Sequence, residues 1–429
     1  MKEDLLHYIW NYKKIPLQGL QTTSGEPISI LDMGMANHLA GPDFLNAKIR
    51  INNQLWVGNV EMHIKSSDWY RHNHEKDANY DAVILHVVWE DDVPVFGGKG
   101  FIIPTLTLQG VIAPQLLQSY QHLVENKDKN FINCENQIKE TSSFLLDNWW
   151  ERLFLERLER KSSYVLELLE ASKNNWEQVM FILLLKSFGL NNNGGAFAAV
   201  GETLPYTVVR KVQNDVFKVE SLLFGTAGLL QDTVVVDDYF KRLYAEYLFL
   251  KNKFGLQVQT GEPPQFFRLR PANFPTIRLS QLANLVVQHP NLFHEVMQGK
   301  SPREFYTLFA VAASSYWRTH YTFGQKSKET PKGLTPRFVD SIILNAVLPL
   351  QFCYAKYLGN DVNESILGLA TQLKKETNHI VQNFEAHGVA IKNAKEGQAA
   401  LTLYHSYCTK NKCLQCSIGS SMLSANNYL

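Results

Sequence analysis

Apolar residues recur in two rhythms along this 429-residue chain, and the change from one to the other divides it. Leu5, Leu6, Ile9 and Trp10 fall at helical spacing and predict a first helix from Glu3 to Tyr12. A period of two then takes over. Ile28 to Leu31 form a short apolar run after a Ser24-Gly25 turn. Ala47, Ile49 and Ile51 alternate with Lys48, Arg50 and Asn52, and Asn52-Asn53 turns the chain into a second strand. On that strand Val60, Met62 and Ile64 share one face, while Glu61, His63 and Lys65 share the other. The run from Ala82 to Glu90 reads as a central apolar strand. The run from Phe101 to Leu108 reads as a further strand that Pro104 marks as an edge or a bulge.

Beyond about residue 110 the alternation gives way to helical spacing. A long amphipathic helix is expected from Phe144 to Leu169, with Leu146, Trp150, Phe154, Leu158 and Val165 on one side. Further helices are expected near 175–188, 207–222, 237–254, 278–297, 302–318, 337–357, 361–384 and 395–405. The polar stretch from Glu125 to Ser143 is the expected linker, so the domain boundary falls between about 110 and 145. The expected architecture is an α/β domain over residues 1–125, a mixed sheet flanked by helices, followed by an all-α domain over 140–429 that carries a C-terminal cysteine cluster. No sheet of more than two strands is expected beyond residue 150.

Composition narrows the class. With 45% hydrophobic and 19% charged residues the chain can bury real cores. Lys+Arg number 42 against Asp+Glu 41, so no global attraction draws it to nucleic acid, and only a local basic channel is possible. The N-terminal stretch is too polar for a signal peptide, and no stretch reaches the roughly 18 apolar residues of a membrane span. Five cysteines, three of them within nine residues, argue against a disulfide scaffold and for a reducing cytoplasm.

Potential chemistry is densest between residues 41 and 90. Gly41-Pro42-Asp43-Phe44 sets a carboxylate at a rigid turn, and Glu61 follows eighteen positions later on the partner strand of the hairpin. Two converging carboxylates suit Mg²⁺ or Mn²⁺. Such an ion activates water and neutralises a phosphate. His63 shares the face of Glu61 and is a candidate base or phosphate contact. Against this stands the plainer reading that alternating Glu, His and Lys is a solvated strand face. His72, His74 and Asp77 crowd the following segment, where they suit zinc or a substrate phosphate, or simply cap a polar loop. His86, inside an apolar strand, reads as a core histidine.

Pro42-Asp43 with Glu61-Met62-His63, set on a helix, a strand, a hairpin, a helical segment and a further strand, resembles the PD-(D/E)xK nuclease superfamily. That resemblance implies a restriction-endonuclease-like fold, with Asp43 and Glu61 as Mg²⁺ or Mn²⁺ ligands and His63 in the lysine position. Lys65 lies on the same face but out of register, and Glu3 falls where some members carry an extra acidic residue. Over nearly the whole chain, GPDF (41–44), GNVEMH (58–63), SDW (67–69), the stretch 72–89, FGTAGLL, RPANFP and the terminal CLQC resemble a bacterial family known as domain of unknown function 2851.

Three further motifs remain. RPANFPTIR places Arg270 and Arg278 on a Pro-framed loop that can hold a nucleic-acid phosphate or make structural ion pairs. FGTAGLL lacks a phosphate-loop lysine and reads as a tight helix contact through Gly225 and Gly228. Cys408, Cys413 and Cys416 have spacing open to zinc or an iron–sulfur cluster, with His405, Cys134 or Cys353 as a fourth ligand, or they are plain thiols. Three functions follow: a metal-dependent nuclease or phosphodiesterase acting on DNA or RNA, an inactive nuclease-like module that binds nucleic acid or protein, and a zinc-dependent hydrolase built on His63, His72, His74 and Asp77.

Overall fold

A computed structural model describes residues 2–37, 39–98, 100–124, 130–231, 237–256, 261–361 and 363–425. His38 and part of the expected linker, 125–129, lie outside the described residues. The chain divides into two compact units, residues 1–149 with 403–429, and residues 150–402.

The first unit begins with helix α1 (Glu3–Asn11), whose Leu5, Leu6, Ile9 and Trp10 are all buried. Strands follow in order: β1 (Leu20–Gln21), β2 (Pro27–Asp32), β3 (Met35–Ala36), β4 (Phe44–Ile51) and β5 (Gln54–Lys65). Asn52, at φ 54°, turns β4 into β5, a backbone conformation that asparagine tolerates better than most residues. Helix α2 (Asp68–Arg71), strand β6 (Val83–Glu90), strand β7 (Thr105–Thr107) and helix α3 (Pro114–Val124) complete the series.

The sheet runs β1-β2-β4-β5-β6-β7, with β3 paired to β4. Pairing is antiparallel from β1 to β5 and parallel from β5 through β6 to β7, so the sheet is mixed. One face carries Ile28, Ile30, Ala47, Ile49, Ile51, Val60, Met62, Leu85 and Val87, which pack with α1, α3 and Leu423 into one core. Trp69, Val83, Val95 and Ile103 form a smaller cluster apart from it. Gly58 lets β5 approach β6, because a Cβ there would stand 2.6 Å from the Ala82 carbonyl oxygen. The resulting register sets Glu61 opposite His86.

The second unit is helical, apart from a two-stranded ribbon, His320–Thr322 with Gln325–Lys326. It opens within helix α4 (Ser143–Ala171) and continues with α5 (Trp176–Phe188) and α6 (Leu190–Thr203). Gly225 is a close helix contact as expected, since a Cβ there would overlap the Tyr247 ring, whereas Gly228 sits at φ +70° and ends its helix.

Several expectations need correction. Residues 403–429, with the C-terminal cysteines, join the first unit rather than the helical one, because Leu423 buries itself in the sheet's core. The helix expected over 302–318 ends at Leu308, and a short 3₁₀ turn covers Ser315–Arg318. The segment Pro336–Tyr357, 22 residues, is by length and composition apolar enough to cross a membrane. With 78% of its most apolar window buried inside the protein, it reads as a core helix.

Candidate active site

The hairpin β4–β5 interleaves Asp43 and Glu61. Glu61 Oε2 accepts from the Asp43 backbone N–H at 3.1 Å, and Asp43 Oδ2 accepts from the Met62 N–H at 3.0 Å. Each carboxylate is thus clamped to the other's strand. Glu61 is buried at 5% exposure, and burial pushes its carboxyl upward, with Asp43's charge adding to the shift and His74 opposing it.

His63 stands next along the same strand face, at 2% exposure. The face carrying Glu61 and His63 is therefore covered, which removes the solvated-strand reading. The cover is the segment after β5: Ser66 and Ser67 fix its start to Asp92, Asp68 Oδ2 accepts from the Lys65 N–H at 3.1 Å, and Trp69 is buried. The chain then turns through Asn73, at φ 60°, and returns His74 over the site. Tyr80 stacks on the His74 ring with centroids 3.8 Å apart.

The result is a histidine cluster. His63 Nδ1 lies 2.9 Å from His86 Nε2, and His63 Nε2 lies 3.1 Å from His72 Nδ1. Glu61 Oε1 lies 3.3 Å from His74 Nε2 and 3.6 Å from His63 Nε2. His63, His72 and His74 each offer a ring nitrogen within 4.8 Å of the other two. Burial and the surrounding histidines push His63 down to about 2, and burial pushes His86 down to about 3, so both are neutral imidazoles at physiological pH. His72 is exposed and gives the cluster its opening to solvent.

Helix α1 supplies a part that periodicity did not single out. His7 Nε2 lies 3.2 Å from Asp43 Oδ2. Burial pulls its pKa down, but the close contact with Asp43 and the charges of Asp43, Glu3 and Asp4 outweigh this and raise it; like His74 Nε2, its Nε2 is buried without a well-formed hydrogen bond. Glu3, one helical turn earlier, is raised by burial and by Asp43 and Asp68, against the lowering charges of His7 and His72. The i, i+4 spacing of Glu3 and His7 on one helix was the available signal.

The other candidates lie elsewhere. Lys65 Nζ pairs with Glu90 at 3.2 Å on the surface, away from Glu61's partners. Asp77 caps a 3₁₀ turn by accepting from the Asn79 N–H at 2.9 Å, and it is not one of the residues whose ligand atoms converge, which are His63, His72 and His74 among the described residues. Arg278 is buried in the helical unit, bonded to Gln281 and Asn273 and stacked 3.6 Å from the Phe338 ring centroid. Its two terminal nitrogens serve structure, while its buried Nε has no hydrogen-bond partner. Arg270 precedes a short 3₁₀ turn in that unit and is exposed.

Cys408, Cys413 and Cys416 fall in one local run: a π-helical turn ends at Cys408, and the Cys416 N–H donates to the Cys413 carbonyl at 3.3 Å. Cys134 joins them. Burial pushes its thiol up to about 12, with the charges of Cys416 and Cys413 adding, and Cys416 rises to about 11 by burial. Cys353 lies in the helical unit.

The family described as "Protein of unknown function (DUF2851)" matches residues 3–379. No curated protein and no solved structure matches the chain.

Proposed function

The chain belongs to the DUF2851 family, a membership that brings no activity with it, and on the site's geometry we propose that it is a metal-dependent hydrolase of phosphodiesters in DNA or RNA. The observation carrying this reading is the convergence of three imidazole nitrogens, within 4.8 Å of one another, beside the buried carboxylate of Glu61. The order of elements through β6 supports a restriction-endonuclease-like core, with Asp43 and Glu61 in its two acidic positions.

The donor set decides the kind of ion. Imidazole nitrogens suit transition metals, whereas Mg²⁺ wants oxygen. His63 is held neutral, as a ligand must be. His74 Nε2 is buried and forms no hydrogen bond, while it faces Glu61 Oε1 at 3.3 Å. Glu61, His63, His72 and His74 would therefore hold Mn²⁺ or Zn²⁺, with Asp43 alongside, and Mg²⁺ is the weaker fit. When bound, such an ion supplies Lewis acidity and lowers the pKa of water. His86 fixes the His63 ring from behind.

His63 cannot replace a lysine's charge, because it is neutral. His7 can: its pKa is raised, it is partly exposed, and Asp43 orients it. We assign it the roles of phosphate contact and proton donor to the leaving oxygen. All five cysteines are free, which supports a reducing cytoplasm as the compartment. The inactive-module reading becomes the better one if the protein binds metal but cleaves nothing.

The test is cleavage of labelled single- and double-stranded DNA and RNA by chelator-stripped protein after addition of Mn²⁺, Zn²⁺ or Mg²⁺. Cleavage with Mn²⁺ or Zn²⁺ that is lost in Asp43→Asn and in His7→Gln is expected. Cleavage by those variants at the wild-type rate would sink the assignment.

A further inference from the structure

The helical unit holds a second cluster of titratable groups with a different chemistry. A cavity of about 460 Å³ opens among α4, α5, α6 and the stretch from Ser341 to Pro349. Arg160, Lys161 and Lys186 line it, and among the described residues that line it none is acidic. Arg157 lies behind the wall, buried. Lys161 Nζ and Arg157 Nη2 both donate to Asn345 Oδ1, each at 3.0 Å, and Arg157 Nη1 donates to the Leu344 carbonyl at 3.2 Å.

Two sequestered cations thus share one neutral acceptor. The charges of Arg157, Lys186 and Arg160 repel Lys161, and Glu376 is the carboxylate whose charge opposes them. Packing like charges together away from water costs free energy unless an anion completes the set. Burial, followed by the charges of Arg157 and Lys186, pushes the Lys161 ammonium down to about 7, while Arg160 Nη2 donates to Thr402 Oγ1 at 3.4 Å and Lys186 Nζ sits 3.6 Å from the Tyr164 ring centroid.

The backbone around the cavity is also irregular in two places. Asn345 sits in a π-helical stretch, Ile343–Val347, that interrupts the helix running from Pro336 to Tyr357. Such turns are concentrated at functional sites. Leu190, another lining residue, adopts φ 54° at the start of α6, a conformation that costs a non-glycine residue on the order of 1–3 kcal/mol. Val165, Leu183, Leu190 and Pro349 make one part of the wall apolar, and Ser187, Asn191 and Ser341 add neutral polar groups.

We propose that this cavity binds an organic phosphate, with its anionic group among Lys161, Arg160 and Lys186 and its body against the apolar wall. Several cations around one opening suit an anion of more than one charge with several acceptor oxygens. The volume lies within the roughly 300–1,000 Å³ of small-ligand sites. The proposal is independent of the metal-site reading.

Calorimetric titration of the full chain with ADP, inorganic pyrophosphate and adenosine, in EDTA at fixed ionic strength, tests it. ADP and pyrophosphate are expected to saturate one site, and adenosine is expected not to bind. Lys161→Met, which leaves Asn345 its bond from Arg157, should weaken both by at least tenfold. The double variant Arg160→Ser/Lys186→Ser, both at exposed positions and checked for wild-type thermal unfolding, should do the same. Glu61→Gln should leave both affinities unchanged. Tighter binding of ADP than of pyrophosphate would show that the apolar wall is used, and equal binding that the phosphate alone is recognised. Absence of saturable binding, or wild-type affinity in the lysine and arginine variants, would overturn the proposal.

Discussion

Replacing Glu61 with glutamine separates what this side chain does for the fold from what it does for a metal. Glu61 Oε2 accepts the Asp43 N–H at 3.1 Å, and an amide oxygen can accept the same bond. The substitution also removes a buried charge from beside Asp43, so the metal-free variant should melt no lower than the wild type. Alanine would instead leave the Asp43 N–H unpartnered, at a cost of about 1–3 kcal/mol. Metal affinity should fall steeply. Two unit charges 4 Å apart interact by about 4 kcal/mol at an effective dielectric of about 20, and a divalent ion doubles this. Allowing for the amide oxygen left behind, a net loss of about 3–4 kcal/mol remains, which is on the order of a hundred- to a thousandfold in Kd. The assay is thermal unfolding with and without Mn²⁺ or Zn²⁺, because an ion at about 100 times its Kd adds about 2.7 kcal/mol of stability. The wild type should gain melting temperature with metal, and Glu61→Gln should not. An equal gain in both proteins would refute the role given to Glu61.

Three more outcomes follow from the packing and charge of the two units. Glu220 is fully buried and accepts from Tyr239, Ser280 and Ser314, so Glu220→Leu strands three hydroxyls and should cost at least about 2 kcal/mol in denaturant unfolding. Lys161 has a folded pKa of about 7, below its ordinary value of 10.5. The unfolded chain therefore holds the extra proton between those values, and stability rises with pH across that window. Lys161→Met should accordingly melt above the wild type at pH 6.5, with the advantage gone by about pH 10.5; a constant difference would contradict the burial argument. Among the described residues no three cysteine sulfurs lie close enough together to share an ion, so Cys134→Ser and Cys416→Ser should leave the zinc and iron content unchanged, as elemental analysis would show; a loss of metal in either would restore the cluster reading.

Much of the first unit was legible because its signals are local. Asn52-Asn53 fixed the hairpin, and the apolar run from Val83 to Val88, interrupted by His86 alone, marked a strand flanked on both sides by others. Asp43, Glu61, His63, His72 and His74 were singled out and do come together. What alternation could not convey is that a second layer covers the face bearing Glu61 and His63. A period of two distinguishes two faces of a strand, but not a solvated face from one roofed by a polar segment. The burial of Glu61 and His63 is therefore what the solvated-face reading of the strand misses. His86 was read as a core histidine, and it is one, but its Nε2 also orients His63. Helix α6 escaped notice because Asn191, Asn192, Asn193, Gly194 and Gly195 are poor helix formers that tertiary packing overrides. Lys65 failed for a geometric reason: its side chain runs outward to Glu90 at the far end of β5.

The most direct test of the metal site is anomalous diffraction from crystals grown with Mn²⁺ or Zn²⁺, collected on either side of the absorption edge. One peak is expected among Glu61, His63, His72 and His74, with ligand distances of about 2.0–2.2 Å. An absence of density there at saturating metal, or a single strong peak at some other position, would contradict the account.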